Sequence, residues 1–93
     1  MADLAELRAN IDEIDRQMIT LLAERFKYTE EVGIYKDQHG LSAQDPSREA
    51  QQFQKLALYA EQSGLNPRYA EQIYRHIMDL VISRHQELKT VQK

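Results

Sequence analysis

The sequence predicts an all-α fold: three helices per chain, the first of them long, assembled as an intertwined homodimer. Three observations carry that expectation. Apolar residues recur at alternating steps of three and four from Leu4 to Tyr35, with no proline among them. Two later segments each open on a capping residue followed by proline, Asp45-Pro46 and Asn66-Pro67. The first apolar stripe is also too long for two shorter helices of a 93-residue chain to cover.

The first element is set by Leu4, Leu7, Ile11, Ile14, Met18, Leu21, Arg25, Tyr28, Val32 and Tyr35, which share one seam of a helix. Its one glycine, Gly33, lies near the end. Such a helix of about 32 residues is about 48 Å long, more than a compact domain of this mass needs. The stripe must find apolar partners, and a second copy of the same helix supplies them.

Residues 37–44, "DQHGLSAQ", break the period and read as a loop around Gly40. A second helix then starts at Asp45 and Pro46, turns Ala50, Phe53, Leu56, Ala57 and Ala60 inward, and stops at Gly64. The third starts at Asn66 and Pro67 and carries an apolar stripe of Ala70, Ile73, Tyr74, Ile77, Leu80, Val81 and Leu88. No internal repeat or low-complexity segment interrupts residues 1–93, which read as a single domain.

Composition narrows the function classes. The charged fraction is 29% and the net charge −3, so no overall positive field favours nucleic acid. The absence of cysteine removes disulfides, thiolate nucleophiles and thiolate metal sites. His39, His76 and His85 lack the spacing of a metal site. No apolar run approaches membrane-spanning length, and "MADLAELRAN" does not read as a signal peptide. A soluble, cytoplasmic protein is expected.

The informative residues are the polar ones in the wrong place. Arg25 occupies a seam whose other nine positions are aliphatic or aromatic. Lys36 follows it by eleven residues, about 1,100° of helix and so only some 20° beyond three turns. Both cations therefore point the same way, about 16 Å apart along the axis, and long side chains can converge between them. Arg8 lies roughly 100° off that face, so it does not serve the same pocket within one chain; in a crossed dimer it can reach the partner's. On the second helix Asp45, Arg48 and Gln52 share a face with Glu49 beside them, and on the third Val81 and His85 are one turn apart. The result is a helix-walled pocket suited to a small, multiply anionic ligand.

Taken singly, each residue has a plainer reading. An arginine in a seam can snorkel or set pairing register, a lysine near a helix C-terminus complements the dipole, and Asp45 can be only a cap. Arg48 and Glu49 can be a solvated pair worth less than about 1 kcal/mol, and His85 can mark the end of a stripe.

Their order along the chain adds a resemblance. "LRANIDEIDRQMITLLAERF", "VGIYK", "DPSREAQQF" and "GLNPRYAEQIYRHIMDLV" closely resemble the all-helical chorismate mutase family, from Leu7 to about His85. The resemblance implies intertwined dimers of three-helix chains with shared active sites. It implies that Arg25 binds a substrate carboxylate, that Arg8 is delivered from the other protomer, and that Lys36 reaches a carboxylate and the ether oxygen. Asp45 and Glu49 match the positions beside the ring hydroxyl, and Arg48 a further arginine near the carboxylates. Two positions depart from the pattern: Val81 stands where many members have serine, and His85 where many have glutamine or glutamate facing the ether oxygen. A one-residue shift would bring Gln86 there but rotate the apolar stripe by about 100°.

The implied reaction is the intramolecular rearrangement of chorismate to prephenate, on the route to phenylalanine and tyrosine, with Lys36, His85 and Arg25 as catalytic candidates. It requires no nucleophile, metal or cofactor. An isochorismate pyruvate lyase of the same fold would use the same cations and tolerate the missing serine. A non-catalytic helical partner or regulator of a pathway enzyme is a third reading, against which Arg25 argues, since a pure interaction helix has no need of it. With His85 at the ether oxygen, turnover is expected to rise as pH falls through the histidine range.

Overall fold

A computed structural model of the chain describes residues 3–91, with side chains through residue 89. Three helices follow one another, α1 (Leu4–Gln38), α2 (Pro46–Ser63) and α3 (Pro67–Val91), with no strand among the described residues. The expected three-helix order is therefore present.

Each helix is bounded by the chemistry its sequence offers. Asp3 caps α1, its side chain accepting the Glu6 amide at 2.9 Å, while Glu6 places a carboxylate in the positive first turn. At the other end Gly40 adopts φ 65°, and the Leu41 amide reaches back to the Lys36 carbonyl at 2.8 Å. That left-handed glycine and back-bonded leucine satisfy carbonyls the helix leaves open. The stop comes later than expected. The helix runs through Asp37 and Gln38, both assigned to the loop from sequence, because a polar residue does not end a helix and the glycine two residues on does. The same pairing closes α2, where Gly64 has φ 75° and the Leu65 amide bonds the Ala60 carbonyl at 2.8 Å. Asp45 caps α2 through the Arg48 amide at 3.1 Å, and Asn66 opens α3 through the Arg68 amide at 2.9 Å.

α3 is the central element. It lies against the C-terminal half of α1 on one side and α2 on the other, while α1 and α2 face each other only across a cleft. Gly33 explains how closely α3 approaches α1. A Cβ at this position would sit 2.5 Å from His85 Cδ2 and 2.8 Å from a Leu88 methyl, so only glycine admits both side chains.

Among the described residues the buried apolar side chains are Ala60, Ala70, Ile77, Met78 and Leu88. Met78 was missed because the expected stripe described one face of α3, whereas a helix between two others buries a second. Ala50, expected inward, is exposed, whereas Phe53, Leu56 and Ala57 are half-buried and Ala60 is buried. Ile73 and Leu80 belong to the predicted stripe of α3 yet remain exposed in the single chain.

The N-terminal half of α1 stands clear of the rest. Leu4, Leu7, Ile11, Ile14, Met18 and Leu21 are all exposed, Leu21 at 63%. The chain measures 58 × 25 × 15 Å with a radius of gyration of 16.7 Å, against about 12 Å for a compact chain of this length. Its accessible surface is 7474 Å², where a compact monomer of this mass exposes about 5,600 Å².

Candidate active site

A cleft of about 270 Å³ opens where α1, α3 and the start of α2 converge. Seven of the eight residues singled out from sequence line it. α1 contributes Arg25 and Lys36, α2 contributes Asp45, Arg48 and Glu49, and α3 contributes Val81 and His85. Arg8 is outside it, seventeen residues before Arg25 on an uninterrupted helix, which is about 25 Å along the axis. Gln52, already grouped with Asp45 and Arg48 by helical spacing, is also part of the wall.

Arg25 has the most informative environment. It is half-buried in the seam, with its guanidinium carbon 5.5 Å from the Tyr74 ring centre. The aromatic face offers partial electrostatic compensation. Its Nη1 is nevertheless buried with no hydrogen-bond partner. An unmade bond to a buried charged donor costs roughly 1–3 kcal/mol or more, and an anion in the cleft would supply the missing acceptor. Lys36, three turns on, donates to the Ala43 carbonyl at 3.2 Å, and Lys89 donates to the Leu41 carbonyl. Lysines from α1 and α3 thus fasten the α1–α2 connection beside the cleft.

The acidic side lies at the start of α2. Asp45 combines its capping bond with a place in the wall. Glu49 is 16% exposed and its Oε1 has no hydrogen-bond partner, although Arg75 Nη1 lies 3.7 Å away. Gln44 Nε2 donates to the other oxygen at 3.4 Å. Arg75 is held over the Phe53 ring at 4.6 Å and keeps a positive charge behind the carboxylate. Sequence reasoning gave Arg75 no part, because its partners lie on α2 and no spacing along α3 reveals them.

His85 is 3% exposed, the one buried polar side chain among the described residues. Its Nε2 lies 2.8 Å from the Thr29 carbonyl oxygen. A carbonyl only accepts, so Nε2 carries the proton. The other ring nitrogen, Nδ1, is buried with no partner. Gln86 is exposed and is not among the cleft residues. Val81 presents only methyl groups, so that stretch of wall offers no donor. Behind α3, Arg84 binds Glu30 through both carboxylate oxygens, at 2.7 to 3.1 Å, and ties α3 to α1. These hydrogen bonds hold the Glu30 carboxyl below its ordinary range and raise Arg84 further above its own.

Three cations, two carboxylates and an imidazole surround a small, mostly apolar cleft, an arrangement that can hold a compact, multiply anionic organic molecule. The chain belongs to the chorismate mutase type II family, whose profile matches residues 7–86. It is 38% identical over 78 residues to the T-protein of Haemophilus influenzae, covering 84% of this chain and 21% of that protein. It is 34% identical over 92 residues to the bifunctional chorismate mutase/prephenate dehydratase of Aquifex aeolicus, covering 96% of this chain and 25% of that protein. A chorismate mutase of Methanocaldococcus jannaschii is 29% identical over 76 residues, which is 82% of this chain and 77% of that one. The chain thus spans about a fifth to a quarter of the first two proteins. No helix among the described residues is long and apolar enough to cross a membrane.

Proposed function

We propose that the chain is an isomerase that converts chorismate to prephenate, working as a homodimer with two shared active sites. The single observation that carries this reading is the buried, unpartnered Nη1 of Arg25 in the same cleft as Lys36 and Arg48. A carboxylate supplies the acceptor that Arg25 lacks, and Lys36 and Arg48 place further positive charge around a second one.

The chemistry asks little beyond position and charge. The ether carbon–oxygen bond breaks as a new carbon–carbon bond forms within one molecule, so no atom is gained or lost. The flexible substrate reacts only when its enolpyruvyl arm lies over the ring. Arg25, Arg48 and the partner's Arg8, gripping two carboxylates, favour that conformer and remove much of the entropic cost. Negative charge grows on the ether oxygen as its bond to carbon lengthens. Donors fixed there bind the transition state more tightly than the ground state, and Lys36 and His85 take that role. Asp45 and Glu49 accept from the ring hydroxyl, with the Arg75 guanidinium 3.7 Å behind Glu49. The product continues toward phenylalanine and tyrosine, and a cytoplasmic location belongs to the same proposal.

The dimer is supported by the surface left uncovered. The chain exposes nearly 1,900 Å² more than a compact monomer of its mass, along the stripe of α1 and at Ile73 and Leu80. Pairing two chains through that stripe buries an area typical of obligate dimers and carries Arg8 toward the partner's cleft. The test of the activity is incubation with chorismate and identification of the product. Prephenate is expected. Untouched chorismate overturns the reading, and salicylate from isochorismate with no prephenate from chorismate replaces it by the lyase.

A further inference from the structure

We propose that Thr29 and Gly33 fix the hydrogen-bonding polarity of His85, so that Nδ1 meets the bound ligand as an acceptor when the ring is neutral and as a donor only when it is protonated. The inference rests on the proposed reaction for its consequence, and on the ring's surroundings for its substance. Gly33 leaves the space into which Cδ2 and Nε2 of His85 fit against α1. There Nε2–H donates to the Thr29 carbonyl at 2.8 Å. A helical carbonyl has a second lone pair for such a bond. With that edge committed to α1, Nδ1 lies on the far side of the ring, buried and without a partner, in a residue that lines the cleft.

The consequence follows from the ether oxygen, which has lone pairs and no proton. A neutral ring sets one lone pair against another there and stabilises nothing. An imidazolium donates from both nitrogens, keeping Thr29 with one and meeting the developing charge with the other. The charges around the ring are mixed. α1 brings Arg25 and Lys36 to the cleft and Glu30 close enough to feel the ring's charge. α2 brings Arg48, Asp45 and Glu49, and α3 itself carries Arg84 and Lys89 within one turn. The bound dianion and the oxygen's growing charge add to the negative side, where an imidazolium finds an acceptor. Thr29 and Gly33 act through His85 and are positioning residues.

The tautomer is read in the ligand-free chain by nitrogen-15 NMR of the histidine rings at alkaline pH. Protonation of His85 at Nε2 is expected, and protonation at Nδ1 overturns the proposal whether or not chorismate turns over. The second measurement is the pH profile of kcat/KM. Wild type is expected to lose about tenfold per pH unit above the ring's titration, while His85→Gln, whose amide donates at any pH, stays flat there. Equal profiles in the two proteins overturn the proposal. Gly33→Ala should displace the ring and lower kcat/KM at acidic pH. If that variant does not fold, the tautomer and the His85→Gln profile still decide. Failure to convert chorismate removes the catalytic reading, and the tautomer measurement stands apart from it.

Discussion

At the scale of residues, a charge out of period marks the candidate site. Arg25 interrupts a run of apolar positions on α1 and ends with a buried donor that nothing among the described residues satisfies. A residue kept for packing would not be an arginine there. Arg25→Leu should therefore reduce kcat/KM by roughly thirtyfold or more, the equivalent of about 2–5 kcal/mol for a desolvated charge contact, while the melting temperature holds or rises because leucine suits the seam. Steady-state kinetics and thermal unfolding of the same preparation check both halves. Near-normal activity would return Arg25 to a register role. His85→Ala should lose about 1.5–3 kcal/mol of transition-state stabilisation at acidic pH, a ten- to hundredfold effect. An unchanged rate would take His85 out of the chemistry. Side chains with helical spacing were legible: Arg25, Lys36, Asp45, Arg48, Glu49 and His85 all reach one cleft. Groups outside that grammar were not. The Thr29 carbonyl is main chain, and Gly33 matters for the side chain it lacks. Arg75 became meaningful only once α2 lay beside α3.

At the scale of elements, two short signals decide the boundaries. Gly-Leu closes both α1 and α2, and a cap followed by proline opens both successors. α1 ends later than its apolar period does, because the helix continues until a residue can leave its dihedrals. Met78 and Ala50 show a second limit, since a period gives a face but not which neighbour meets it. The docking of α3 on α1 rests in part on Glu30 and Arg84, fifty-four residues apart. Folding depresses the Glu30 carboxyl below its ordinary 4.5, chiefly through the Arg84 hydrogen bonds. A carboxyl lowered in the folded state contributes stability above its unfolded value and loses it as pH falls through the folded one. The melting-temperature gap between wild type and Glu30→Gln should thus be steady from neutrality to about pH 5 and close below 4.5. A gap that persists undiminished at the acid end would mean the pair contributes by packing rather than charge. Gly33→Ala should destabilise by about 1–3 kcal/mol in chemical denaturation, since α3 must back away from α1.

At the scale of the whole molecule, a 58 Å chain leaves an apolar stripe uncovered, and that surface supports the proposed dimer. The stripe was visible in sequence as one long period, and the distance from Arg8 to the cleft follows from the rise of a helix alone. The crossing that would bring Arg8 to the other protomer is a property of two chains, and no spacing within one encodes its angle. If the homodimer is obligate, the melting temperature should climb with protein concentration, and a concentration-independent transition would argue for a folded monomer. The sharing of sites is tested most directly by mixing two inactive proteins, Arg8→Ala and Arg25→Ala, under conditions that exchange subunits. Each mixed dimer would contain one cleft with both defects and one with neither. Random exchange makes half the dimers mixed, so prephenate formation should recover to about a quarter of the wild-type rate. Verified mixed dimers that remain inactive would contradict the shared dianion site.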